Sequence, residues 1–213
     1  MRFPFLFTGI FATFALAWYG QTILPQMQLG NLQPQVDEDS GDAYPIDNQG
    51  IVAQGRKVYV SNGCIYCHTQ QVRGDQSGSD IERGWGKRRT VARDYIYDNP
   101  VVLGVVRNGP DLTNEGLRQF DGKPVEAAWH FAHLYNPRDK VPGSIMPSYR
   151  YLFEKRKISG QRSVDALQLE GADAVGEGYE VVPTSQAKAL VVYLMSLDRN
   201  HPLKEVKEEG AAK

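Results

Sequence analysis

Both cysteines of the 213-residue chain fall within one pentapeptide, Cys64-Ile65-Tyr66-Cys67-His68. Two thiols about a helical turn apart can each add to one of the two vinyl groups on a porphyrin edge. The adjacent imidazole is then held under the iron, which is the C-x-x-C-H pattern of c-type haem attachment. A disulfide or thioredoxin-like pair would leave His68 without a role and belongs in a strand–helix context, whereas "GRKVYVSNG" ahead of the motif reads as helix and turn. A zinc site would need two further Cys or His ligands at metal spacing, and no second such pair exists. The expected cofactor is one covalently bound haem c, with Cys64 and Cys67 as attachment points and His68 as an iron ligand.

A haem that only carries electrons has both axial positions filled, and Met opposite His raises its potential. The chain has four methionines. Met1 precedes an apolar run, Met27 lies in a polar segment, and Met195 adjoins an apolar stripe and is expected in the core. Met146 remains, 78 residues after His68 in "NPRDKVPGSIMPSY", where prolines on either side stiffen its loop. His130 and His133, at i, i+3 on a helical segment, are the alternative ligands, and an open site is the third possibility. "RNGPDLT" (107–113) supplies backbone carbonyls around Pro110, and a metal-ligating histidine gives its second ring N–H to such an acceptor.

From Phe3 to Leu24 no residue is charged, and these 22 residues span about 33 Å as a helix at ~1.5 Å per residue, enough for a bilayer core. Trp18 and Tyr19 near its end suit a membrane interface. Ala15-Leu16-Ala17 resembles a signal-peptidase site, but the apolar run continues past it and the bulky Trp18 would become the new N-terminus, so an uncleaved anchor is the preferred reading. Arg2 precedes the span, the next positive residue is Arg56, and Asp37, Glu38, Asp39, Asp42 and Asp47 lie between. The positive-inside rule then puts the N-terminus in the cytoplasm and the rest outside, where haem c attachment also takes place.

The expected organisation is an anchor over 1–24, a polar tether over 25–49, a haem domain over 50–198 with irregular insertions at 69–99 and 154–182, and a solvated tail over 199–213. Charged residues make up 23% of the chain and net charge is −1, which gives no footing for nucleic acid. Helices are predicted from "GIVAQGRKVYVSNG", with Val52, Gly55, Val58 and Tyr59 near one face, from "KPVEAAWHFAHLY" up to Pro137, and from "PTSQAKALVVYLMSLD". Thr184 or Ser185 caps the last, and Gly55 lets two helices cross closely. No strand pattern stands out beyond short runs such as "VVLGVV" (101–106). Arg83, Lys87, Arg88, Arg89 and Arg93 form a basic stretch, read either as a docking surface or as a solvated loop.

Three blocks, "GRKVYVSNGCIYCHTQQVR", "YIYDNPVVLGVVRNGPDL" and "WHFAHLYNPRDKVPGSIMPSYRYLF", closely resemble the mono-haem cytochrome c subunit of cbb3-type cytochrome c oxidases. The resemblance covers roughly residues 5–198. It implies an all-α, class I cytochrome c-like haem domain on a single N-terminal transmembrane helix, on the periplasmic side of a bacterial inner membrane. Carried over by position, Cys64 and Cys67 hold the haem, His68 and Met146 ligate iron, and Pro110 belongs to the haem-edge loop. The implied partners are a membrane-embedded haem–copper catalytic subunit and, as donor, another c-type cytochrome subunit or a soluble cytochrome c. Electrons would pass through this haem toward oxygen reduction coupled to proton pumping, a chemistry for which this chain has no metal constellation of its own. The rival readings are the haem c subunit of a nitric oxide reductase, a free-standing tethered electron shuttle, and a haem gas sensor. The segment 83–93, more basic than the family pattern, and the long 154–182 insertion depart from it.

Overall fold

A computed structural model of the chain describes residues 3–38 and 40–208. Arg2 and Asp39, two of the charges that set the expected orientation, and residues 209–213 of the expected tail lie outside the described residues. The chain divides into two compact units, Met1–Ile46 with Val91–Ile96, and Asp47–Thr90 with Tyr97–Lys213.

In the first unit, α1 (Phe3–Trp18), a π-helical turn (Tyr19–Ile23) and α2 (Leu24–Leu29) form one continuous helix of 27 residues with no buried side chain. It is long and apolar enough to cross a membrane. The helix passes the expected end at Leu24 because the widened turn accommodates Pro25, which has no N–H and crowds the carbonyl one turn back. There the Leu24 N–H reaches the Tyr19 carbonyl. The Thr8 and Thr13 hydroxyls donate to the Pro4 and Gly9 carbonyls at 2.9 Å, so neither needs water. The expected extended tether is also partly folded. β1 (Gln35–Val36) pairs antiparallel with β2 (Ala43–Tyr44). The Tyr44 hydroxyl donates to buried Asp94 at 2.7 Å, and the Arg93 guanidinium donates to the Gln33 carbonyl.

The second unit contains, in chain order, α3 (Ile51–Ser61), the hairpin β3 (Gln119–Phe120)–β4 (Lys123–Pro124), α4 (Ala127–Tyr135), α5 (Pro137–Lys140), the hairpin β5 (Phe153–Lys157)–β6 (Tyr179–Pro183) and α6 (Ser185–Met195). The core lies where α3 meets α6, with Tyr59, Leu190, Val191 and Leu194 all buried. Gly55 makes the crossing possible, since a Cβ there would lie 1.9 Å from the Ala189 carbonyl oxygen. Thr184 caps α6, its hydroxyl accepting from the Ala187 N–H at 3.3 Å and donating to the Leu152 carbonyl at 2.8 Å. Thr184→Ala is therefore expected to cost about 1 kcal/mol and lower the melting temperature by about 2–4 °C, while Thr184→Ser restores most of it; thermal circular dichroism of the detergent-solubilised chain measures both.

The chain is not all-α. Three two-stranded antiparallel sheets occur among the described residues, and "VVLGVV" is not one of their strands. The longest pairing, β5 with β6, falls in the expected irregular insertion over 154–182. Neither strand alternates, since β5 exposes Glu154 through Lys157 and β6 buries Glu180 through Pro183, so no period of two marks them. Met195 is 41% exposed rather than in the core. The tail is docked at its start, where Leu203 is buried and Arg199 pairs with Asp98 at 2.8 Å. The basic stretch is not a uniform surface either. Arg88 is 1% exposed and donates to the His201 and Arg89 carbonyls at 2.8 and 3.1 Å, which removes it from any docking face.

Candidate functional site

The end of α3 builds the site's first wall. Gly63, at φ 71°, turns the chain into a 3-10 turn over Cys64–Tyr66, a left-handed conformation that favours glycine. The Cys67 and His68 N–H groups both donate back to the Cys64 carbonyl, at 3.2 and 3.0 Å. This turn brings Cys64, Cys67 and His68 to one cleft of about 500 Å³. Pro110, Arg118, Phe120, Trp129, His133 and Met146 line it as well. All five residues expected from the sequence, Cys64, Cys67, His68, Pro110 and Met146, thus meet in a single cavity.

His68 is oriented by one contact. Its Nδ1 lies 2.8 Å from the Pro110 carbonyl oxygen, so Nδ1–H donates there and Nε2 carries the free lone pair. Burial lowers the imidazole's proton affinity, against the opposing effect of that carbonyl, which favours the neutral ring. The loop carrying Pro110 runs along the motif through Gly109 N–H to Cys67 carbonyl and Leu112 N–H to Thr69 carbonyl bonds of 2.9 and 2.8 Å. Gly109 has no room for a side chain, because a Cβ would lie 2.3 Å from His68 Cε1.

Beneath this loop lies a charged network that sequence reasoning missed. Buried Asp111 accepts from the Thr69 hydroxyl at 2.5 Å and from the Gln71 and Thr113 N–H groups at 2.9 and 2.8 Å. Arg107 donates to Asp80 at 2.5 Å, to the Gln71 carbonyl at 2.6 Å and to Thr69 Oγ1 at 2.9 Å, with its guanidinium over Trp85. Asp80 and Trp85 belong to the 69–99 insertion, so that part of it is folded against the His68 support. The signal was present in "RNGPDLT", whose Arg and Asp flank the Gly-Pro step, but only long-range pairing gives them partners.

The thiols are free of each other, and burial pushes Cys64 up to about 11, partly offset by hydrogen bonding that includes the Tyr149 hydroxyl. The two alternative histidines separate. His133 lines the cleft, stacked on Trp129 at 4.7 Å, and its buried Nδ1 has no hydrogen-bond partner among the described residues. His130 points elsewhere, with Nδ1 3.9 Å from Glu115 Oε1. Burial lowers both to about 4, so the His130–Glu115 contact is not an ion pair at neutral pH. Burial raises Glu115 to about 7, opposed by Arg118 at 2.8 Å. Phe120 and Trp129, with rings 5.2 Å apart, were also missed as cleft residues. Asp121-Gly122 between β3 and β4 has φ values of 51° and 75°, the Asp-Gly hairpin signal that would have placed Phe120 there.

These residues fit a haem: an oriented imidazole with a free Nε2, two adjacent thiols, a thioether and aromatic walls around one cleft. A family described as "Cytochrome C oxidase, mono-heme subunit/FixO" matches residues 22–201. The chain belongs to this family. It is a mono-haem subunit of a cytochrome c oxidase and hence part of a complex with other oxidase subunits. A search of curated proteins found no significant match. The match begins within the N-terminal helix and ends beyond α6, so it takes in all five site residues.

Proposed function

We propose that the chain is the membrane-anchored electron-transfer subunit of a cbb3-type haem–copper oxidase, holding one haem c in the cleft. The observation that carries this reading is the C-x-x-C-H turn, with His68 fixed by the Pro110 carbonyl, in one cavity with Met146. Cys64 and Cys67 would hold the haem through thioether bonds, and His68 Nε2 and the Met146 sulfur would bind its iron. When bound, the haem supplies a one-electron iron couple. The residues around it orient the imidazole through Pro110 and leave space at Gly109. The aromatic pair Phe120–Trp129 would form part of the wall against the haem.

The helix Phe3–Leu29 would anchor the domain on the periplasmic face of a bacterial inner membrane, with Arg2 retained in the cytoplasm. The donor would be another c-type cytochrome subunit or a soluble cytochrome c, and the acceptor the membrane-embedded catalytic subunit, where oxygen reduction and proton pumping take place. Purifying the tagged chain from native membranes tests this. A haem–copper catalytic subunit should co-purify, and the chain's ferrous c-type band should be reoxidised by oxygen in that complex far faster than in the isolated chain. Equal reoxidation in isolation, or purification without such a partner, would overturn the reading.

A further inference from the structure

The segment between α4 and β5 carries Met146, and its two ends are held by one carboxylate. At the first end, Asn136 is extended (φ −143°, ψ 94°) ahead of Pro137, which starts α5. At the second, the Tyr149 N–H donates to the Leu134 carbonyl at 2.8 Å and the Arg150 guanidinium lies over Tyr135 at 4.8 Å. Asp173 joins the two ends, accepting from Asn136 Nδ2 on one oxygen and from Arg150 Nη2 on the other. Its side chain is 11% exposed, against 52% for Arg150, so the aspartate is the fixed member of the clasp.

The 154–182 insertion fixes it. Asp173 ends a 3-10 turn over Gly171–Asp173, and the flanking Leu169 and Val175 pack against the hydrophobic core. Asp173 itself does not line the cleft. Within the loop, the Met146 N–H donates to Ser144 Oγ at 3.2 Å, Pro147 follows directly, and Met146 and Tyr149 pack against the core, so the clasp at the loop ends adds to local stiffness and packing.

We propose that Asp173 is a positioning residue for the Met146 sulfur, clasping both ends of its loop from outside the haem cleft. The inference rests on the reading of Met146 as the second axial ligand. A neutral thioether is a weak donor, so its hold on iron depends on how rarely the loop opens. Releasing both ends raises the population of the open loop, and a competing ligand then enters more easily. The insertion thus acts as a brace for the distal ligand.

The test uses the full-length chain with its haem, in the ferric state. Two quantities are read: the weak sulfur-to-iron band near the red end of the visible spectrum as pH rises, and the affinity for added imidazole, which displaces a thioether. Asp173→Ala is expected to bind imidazole about tenfold more tightly and to lose the band at lower pH. That factor corresponds to about 1.4 kcal/mol. Asp165→Ala is the comparator, because it removes the 2.5 Å pair with Lys188 from the same insertion and leaves the Asp173 bonds to Asn136 and Arg150 in place, and both readouts should stay at wild-type values. If Asp173→Ala does not accumulate, Asp173→Asn keeps the shape and should shift both readouts the same way by a smaller factor. Wild-type imidazole affinity in the Asp173 variants, or an equal shift in Asp165→Ala, would overturn the clasp while leaving Met146 as ligand. Absence of the band from the wild-type chain would overturn the Met146 reading, and the clasp with it.

Discussion

Replacing Cys64 and Cys67 together by serine is expected to abolish the haem stain that survives a denaturing gel, and either single change to reduce it severely. A serine hydroxyl matches the thiol in size but does not form the thioether that makes the attachment covalent. The fold should tolerate the exchange, because both side chains are only partly buried and the 3-10 turn that presents them is held by backbone bonds to the Cys64 carbonyl. The outcome also separates the haem reading from a redox disulfide. A disulfide pair predicts no covalent stain in the wild type and a change of thiol titre in the variants. A haem site predicts the stain and its loss. Normal staining of both single variants would sink the attachment.

Much of this site is legible in the sequence because its determinants are local. The spacing in "CIYCH" is set within one turn, Pro110 directly precedes Asp111 in its own loop, and Met146 is marked by flanking prolines. The helices α3 and α6 were legible for the same reason, as apolar positions recur at helical spacing and Gly55 marks their crossing. What escaped reading depends on residues far apart in the chain. Arg88 reads as one charge in a basic run, yet it is buried because the His201 carbonyl, 113 residues away, accepts from it. Asp173 reads as one acid in an irregular insertion until Asn136 and Arg150 arrive on its two oxygens. The β5–β6 pairing has no alternation and no short turn, so neither periodicity nor turn chemistry marks it. Of the basic stretch, Arg83, Lys87 and Arg89 are exposed, while Arg93 is half-buried and donates to the Gln33 carbonyl.

Met146→His is expected to convert the haem to bis-histidine ligation, remove the sulfur-to-iron band and lower the reduction potential by on the order of 0.1 V or more, within the roughly 0.8 V that axial ligands command. Imidazole favours ferric iron relative to a thioether, which fixes the sign. The structure sharpens the test, because His133 lines the same cleft with a buried Nδ1 that has no partner among the described residues, and burial lowers its pKa to about 4. If His133 were the native ligand, the wild-type ferric spectrum would already be bis-histidine and Met146→His would change little. His133→Ala would then open the sixth position to carbon monoxide in the ferrous state. With Met146 as ligand the pattern reverses. His133→Ala keeps the band, while Met146→Ala loses it and gains a carbon monoxide complex. Stacking on Trp129, with 10° between ring planes, engages one face of the His133 ring, which favours the second pattern. A persistent sulfur-to-iron band in Met146→His would exclude Met146, whatever the potential does.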